Sequence, residues 1–168
     1  EIHVASHSDV LGGDVYVRNM LYGSEVSRVD TIVGYQFSRI DEELTIQSTA
    51  TTPPDTLKVF DSFATRNEFH GAELGLQFVF DRPTWRCDIM AKVGLGSMSE
   101  QVTITGRQDP TDAGGGLLAR SPSNIGTFTR NEFAAVPELG LNWAWKVNSW
   151  AELNLGYSFI YWSKIIQP

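Results

Sequence analysis

The feature that most constrains this chain is an alternation of apolar and polar residues that keeps phase over long stretches. From Asn67 to Phe80, one set of alternate positions carries His70, Ala72, Leu74, Leu76, Phe78 and Phe80. The other carries Phe69, Gly71, Glu73, Gly75, Gln77 and Val79. From Trp85 to Met98, Trp85, Cys87, Ile89, Ala91, Val93 and Leu95 oppose Arg86, Asp88, Met90, Lys92, Gly94 and Gly96. Successive β-strand side chains point to opposite faces, so a period of 2 marks strands. Strands of soluble proteins usually run ~5–6 residues. A tilted strand crossing a bilayer needs ~9–11 and can continue beyond it.

The pattern recurs along the chain. Phe133, Ala135, Pro137, Leu139, Leu141, Trp143 and Trp145 oppose Ala134, Val136, Glu138, Gly140, Asn142, Ala144 and Lys146. Ala151, Leu153, Leu155, Tyr157, Phe159 and Tyr161 oppose Glu152, Asn154, Gly156 and Ser158. Weaker alternation covers Leu11–Tyr22, Ser27–Ser38, Leu44–Thr51 and Leu57–Thr65. Turn residues fall between these segments at Asp81-Arg82-Pro83-Thr84, Asn148-Ser149 and Thr52-Pro53-Pro54-Asp55. Residues 106–131, with Gly114-Gly115-Gly116 and Ser121-Pro122-Ser123-Asn124, read as a long loop. The count is roughly eight strands.

The two faces differ in chemistry. The apolar face places aromatics near strand ends, at Phe78, Phe80, Trp85, Trp143, Trp145, Phe159 and Tyr161. Amphipathic rings suit a bilayer interface. The opposite face places Glu73, Asp88, Lys92, Glu138 and Glu152 at mid-strand, which a dry core tolerates only if each is paired. It also repeats Gly, at Gly71, Gly75, Gly94, Gly96, Gly140 and Gly156. Gly weakens a strand, so its repetition points to a concave, tightly curved side. Together these features predict an all-β, antiparallel, up-and-down transmembrane β-barrel spanning 1–168. The chain is either the whole barrel or the C-terminal portion of a larger one. A soluble barrel with the two faces reversed is the competing fold.

Composition narrows the function. No apolar run reaches the ~18–20 residues of a membrane helix. A net charge of −7 argues against a nucleic-acid partner. Cys87 is the single cysteine and has no companion for a disulfide or a metal. His3, His7 and Asp9 read as a polar terminus rather than a metal site. No GxSxG nucleophile context or phosphate-binding Gly loop occurs. No catalytic, cofactor or metal residues are expected, and the chain is not expected to be an enzyme.

Several blocks resemble the beta-barrel porin 7 family, found mainly in planctomycetes. They are Phe60-Asp61-Ser62-Phe63-Ala64-Thr65-Arg66 with Asn67-Glu68-Phe69-His70-Gly71-Ala72-Glu73-Leu74-Gly75-Leu76; Gly114-Gly115-Gly116-Leu117-Leu118-Ala119 with Pro122-Ser123-Asn124-Ile125-Gly126; Asn131-Glu132-Phe133-Ala134-Ala135-Val136-Pro137-Glu138-Leu139-Gly140; and Gly156-Tyr157-Ser158-Phe159-Ile160-Tyr161-Trp162-Ser163. The resemblance covers about Asp14 to Pro168, with Gly34-Tyr35-Gln36-Phe37-Ser38-Arg39-Ile40-Asp41-Glu42 preceding those blocks. It implies an envelope location, the bacterial outer membrane, and further sequence upstream. It supplies no catalytic residues.

The candidate lumen-lining residues are Glu73, Arg86, Asp88, Lys92, Glu138, Lys146 and Glu152. Their charges would bias ion passage in an open lumen. In a narrow barrel they would instead form a salt-bridged plug. Two roles follow: passive diffusion of small solutes, or a closed anchoring barrel that binds envelope partners through loop 106–131. That loop either folds inward to constrict the lumen, forms an external binding surface, or is a simple exposed loop tethered by Leu117, Leu118, Ile125 and Phe128. Outer-membrane lipid is the expected partner of the apolar face in both.

Overall fold

The computed structural model describes residues 1–52, 55–110 and 114–168. Among them are β1 (Ile2–Gly23), β2 (Ser27–Thr52), β3 (Asp55–Asp81), β4 (Trp85–Asp109), β5 (Gly126–Lys146) and β6 (Glu152–Ile160). They form one antiparallel meander in the order β1-β2-β3-β4-β5-β6. The all-β, antiparallel, up-and-down expectation is met.

The strand number is six among the described residues rather than about eight. The segments Ser27–Ser38 and Leu44–Thr51 are one strand, β2, and Leu57–Thr65 and Asn67–Phe80 are one strand, β3. The charged interruption between them is a ladder, not a turn. Arg39 reaches Asp41 along β2 at 2.9 Å, and Arg66 reaches it across the β2–β3 pair at 2.7 Å. Similarly, Gln101–Thr105 continues β4 through Asp109. The long loop is correspondingly shorter than 106–131, because β4 extends to Asp109 and β5 begins at Gly126. Pro53 and Pro54 of the 52–55 turn lie outside the described residues, as do Thr111, Asp112 and Ala113 of the loop.

β1 and β6 each pair on one side only, so the six strands make an open, curled sheet rather than a closed barrel. The curl follows from the glycines. Gly71 and Gly96 face each other across β3 and β4, and a Cβ on Gly96 would lie 2.0 Å from the His70 carbonyl oxygen. The Phe69 ring, fully buried, lies over the bare backbone at Gly71 and Gly94. An aromatic covering a strand glycine replaces the packing that the missing side chain forgoes. Phe69, Met98, Ala134 and Val136 form the core of the concave side, and Trp162 packs against them. Ile32, off pattern by sequence, points to this concave side and is buried.

Candidate functional site

Polarity divides the sheet along its strands as well as across its faces. Near the short turns at 24–26, 82–84 and 147–151, which share one end of the sheet, the convex face is apolar. One row reads Val33, Leu74, Val93 and Pro137; the next reads Thr31, Leu76, Ala91, Leu139 and Phe159. Many of these side chains are open to the surroundings, including Leu139 and Leu74, with Leu155 and Tyr157 nearby. A contiguous apolar surface of this kind is a contact surface for lipid or protein.

Aromatic and polar-tipped rings border the band at both ends. At the turn end Trp85 stacks on Trp143 at 4.7 Å, and Trp145 stands opposite Trp85. Phe80 and Trp143 flank Cys87 on the neighbouring strands, which buries this small side chain on the convex face. At the other end the His70 ring lies 5.0 Å from Phe37 and bonds Tyr35, with Phe133 in the same row. His70 therefore marks the edge of the band rather than the end of a strand. Phe159 and Tyr161, expected in a girdle, instead stand beside Leu139 and Pro137 within the band. From His70 to Phe80 the band occupies about the ~9–11 residues that a tilted strand needs to cross a bilayer.

Beyond His70 the convex face changes character. The convex face becomes polar, with Arg39, Asp41, Glu43, Lys58, Ser62, Arg66, Ser99, Gln101 and Thr103. The concave face mixes apolar Ile40, Leu44, Ile46, Val59, Phe63, Val102 and Ile104 with buried Asp61, Thr65, Asn67 and Glu100. Spacing alone does not reveal this change, because the strands run on through it.

The concave side of the band holds the central charge cluster. Lys92 of β4 lies 3.2 Å from Glu73 of β3 and 3.2 Å from Glu138 of β5, and it also bonds Asp14 of β1. Glu138 is its direct cross-strand partner, while Glu73 sits diagonally across the β3–β4 pair. Glu73 is fully buried and Lys92 nearly so. Three carboxylates on one ammonium leave a formal excess of negative charge. A cavity of about 340 Å³ borders this cluster, between Gly12 and Asp14 on β1, Gln36 on β2, Glu138 on β5, and Ile160 and Trp162.

The seven candidate residues thus separate into three groups. Glu73, Lys92 and Glu138 meet in one network. Arg86 and Asp88 pair bidentately, both bonds at 2.9 Å, nearer the turns. Lys146 donates to Asp81 at 2.6 Å and to the Arg82 carbonyl at the rim, with Glu152 opposite it. The Lys146 ammonium holds the Asp81 carboxyl below its usual range. Asp14 was missed as a partner, because β1 alternates weakly and only the curl brings it over β4.

Two further groups on the concave side were not anticipated. Residues after β6 follow β5 through Tyr161 and Ser163, which donate backbone N–H bonds to the carbonyls of Pro137 and Ala135. The tail then crosses to β3. Trp162 donates to Ser38 at 2.9 Å, Lys164 approaches Glu132, and Asn67 exchanges two bonds with the Ile166 backbone at 2.9 and 2.8 Å. Replacing Asn67 with alanine removes both bonds. It is expected to speed hydrogen exchange at the Ile166 amide about tenfold without unfolding the sheet; unchanged protection there would show that Asn67 does not anchor the tail.

The second group is Asp61, on the concave face of β3 and fully buried. Its carboxylate accepts the backbone N–H groups of Leu117 and Leu118, each at 2.9 Å, and of Ala119 at 3.3 Å. Hydrogen bonds to a charged group are worth about 1.5–3 kcal/mol each. Loop 114–125 is thereby folded inward. The three N–H groups that follow its glycine run hold an anion, one supplied by the chain itself. The only sequence signal was an acid in phase with Val59 and Phe63.

The fold and its polarity define an antiparallel β-sheet built to present a lipid-like apolar band outside and charge inside. A family model described as Putative beta barrel porin-7 (BBP7) matches residues 1–168, and the chain belongs to that family. No curated protein and no solved structure matches it.

Proposed function

We propose that this chain forms part of a bacterial outer-membrane porin that passes small solutes by diffusion, with a narrow lumen that favours cations. The Lys92 cluster carries this proposal: three carboxylates surround one ammonium beside a cavity on the concave side. Fixed negative charge in a confined path favours cation entry. The apolar band between His70 and Phe80 lies in the bilayer, where open sheet edges are not tolerated. The edges of β1 and β6 are therefore closed by further strands in the assembled barrel. The polar convex surface beyond His70 stands clear of the membrane, on the side away from the short turns. Single-channel recording in planar bilayers tests the pore, and the reversal potential in a salt gradient tests its preference. Asp14→Asn combined with Glu138→Gln is expected to move the reversal potential toward zero while channels still open. An unchanged potential would remove these carboxylates from the conduction path.

A second reading has its own support. Buried Lys92 and the tail through Trp162 and Ile166 occupy much of the concave side. A barrel filled in this way would anchor the envelope without transport. Silence from inserted, folded protein would favour it.

A further inference from the structure

We infer that loop 114–125 is a latched constriction of the lumen, and that Asp61 is its latch. The inference rests on the pore proposal above and adds a moving part to it. Asp61 is fully buried on the concave face, and its two oxygens take three consecutive backbone N–H groups from the loop. The seat is shaped for the loop. A Cβ at Gly116 would fall 1.7 Å from Asp61 Oδ1, and one at Gly106 on β4 would fall 2.6 Å from the Gly116 nitrogen. Ala119 is fully buried against this seat.

The loop is also braced internally. Gly116 donates to the Ala119 carbonyl at 2.7 Å, Arg120 donates to the Asn124 side chain at 2.7 Å, and that side chain donates back to Leu118 at 3.1 Å. Gly114, at φ 79°, and Gly115, at φ 147°, take backbone conformations that side-chain-bearing residues avoid. Loss of the latch therefore frees a preformed body rather than unravelling a chain. While latched, that body lies over the concave face of β3 and β4, farther from the turns than the Lys92 cluster. A solute entering from that end meets it first.

The test uses the complete barrel assembled in bilayers, including the strands that close the edges of β1 and β6, with Asp61→Ala and the isosteric Asp61→Asn, and two readouts. Hydrogen exchange at the amides of Leu117, Leu118 and Ala119 reads the latch. Both variants are expected to lower protection there about a hundredfold while the strand amides stay protected. Single-channel conductance reads the constriction and is expected to rise in both. Retained protection at the three amides would overturn Asp61 as the latch. Lost protection with an open wild-type channel of unchanged conductance would overturn the constriction. Silence from the wild type and both variants would instead defeat the pore proposal, and the constriction with it. A silent wild type with conducting variants would establish the loop as the closed gate.

Discussion

Lys92→Met is expected to destabilise the protein by about 3–5 kcal/mol, the usual cost of removing one partner from a buried ion pair. The variant leaves Asp14, Glu73 and Glu138 facing one another without a cation. Glu73 suffers most, because it is fully buried and its nearest positive charge is the Lys92 ammonium. Methionine retains the length of the lysine stem, so lost packing contributes little. Adding Glu73→Gln to Lys92→Met removes the least solvated carboxylate and is expected to recover part of the loss. Urea unfolding of refolded protein, followed by tryptophan fluorescence, gives both values. A single variant as stable as wild type would show that the cluster is solvated and contributes little to the fold.

Gly96→Val carries the second large effect. Valine is favoured in strands, so propensity alone predicts a gain. The structure predicts the reverse. The added Cβ would lie 2.0 Å from the His70 carbonyl oxygen and 2.4 Å from the Gly71 Cα, and both are backbone atoms that cannot turn aside. The cost is expected to be about 3 kcal/mol or more, at the upper end for overpacking. Gly13→Val is the matched control, because nothing lies within 4 Å of a Cβ there. Its expected effect is within about 0.5 kcal/mol. Equal effects at the two positions would mean that the sheet is not pinched between β3 and β4.

The period of 2 made the class of fold, the two faces and the concave side legible, since all three depend on alternation and on where glycine recurs. Strand number was obscured by Arg39, Asp41 and Arg66. Consecutive polar residues read as a turn when only local spacing is considered, yet they stay extended, Arg39 pairing with Asp41 along β2 and Arg66 reaching Asp41 across the β2–β3 pair. Glu73, Lys92 and Glu138 could be placed on one face, but not Asp14 with them, because their meeting depends on curvature. Asp61 and Asn67 were hidden for a related reason: their partners lie far away in sequence, in backbone groups that carry no residue-specific signal.

The central claim is that the half of the sheet between His70 and the short turns lies in the bilayer and the rest stands outside it. Fluorophores attached at single cysteines along β3, in a Cys87→Ala background, test it through quenching by brominated lipid. The account predicts strong quenching at positions 72, 74, 76 and 78, little at the concave position 77, and little at 58, 62 and 66. Strong quenching at 58–66, or none at 72–78, would contradict it.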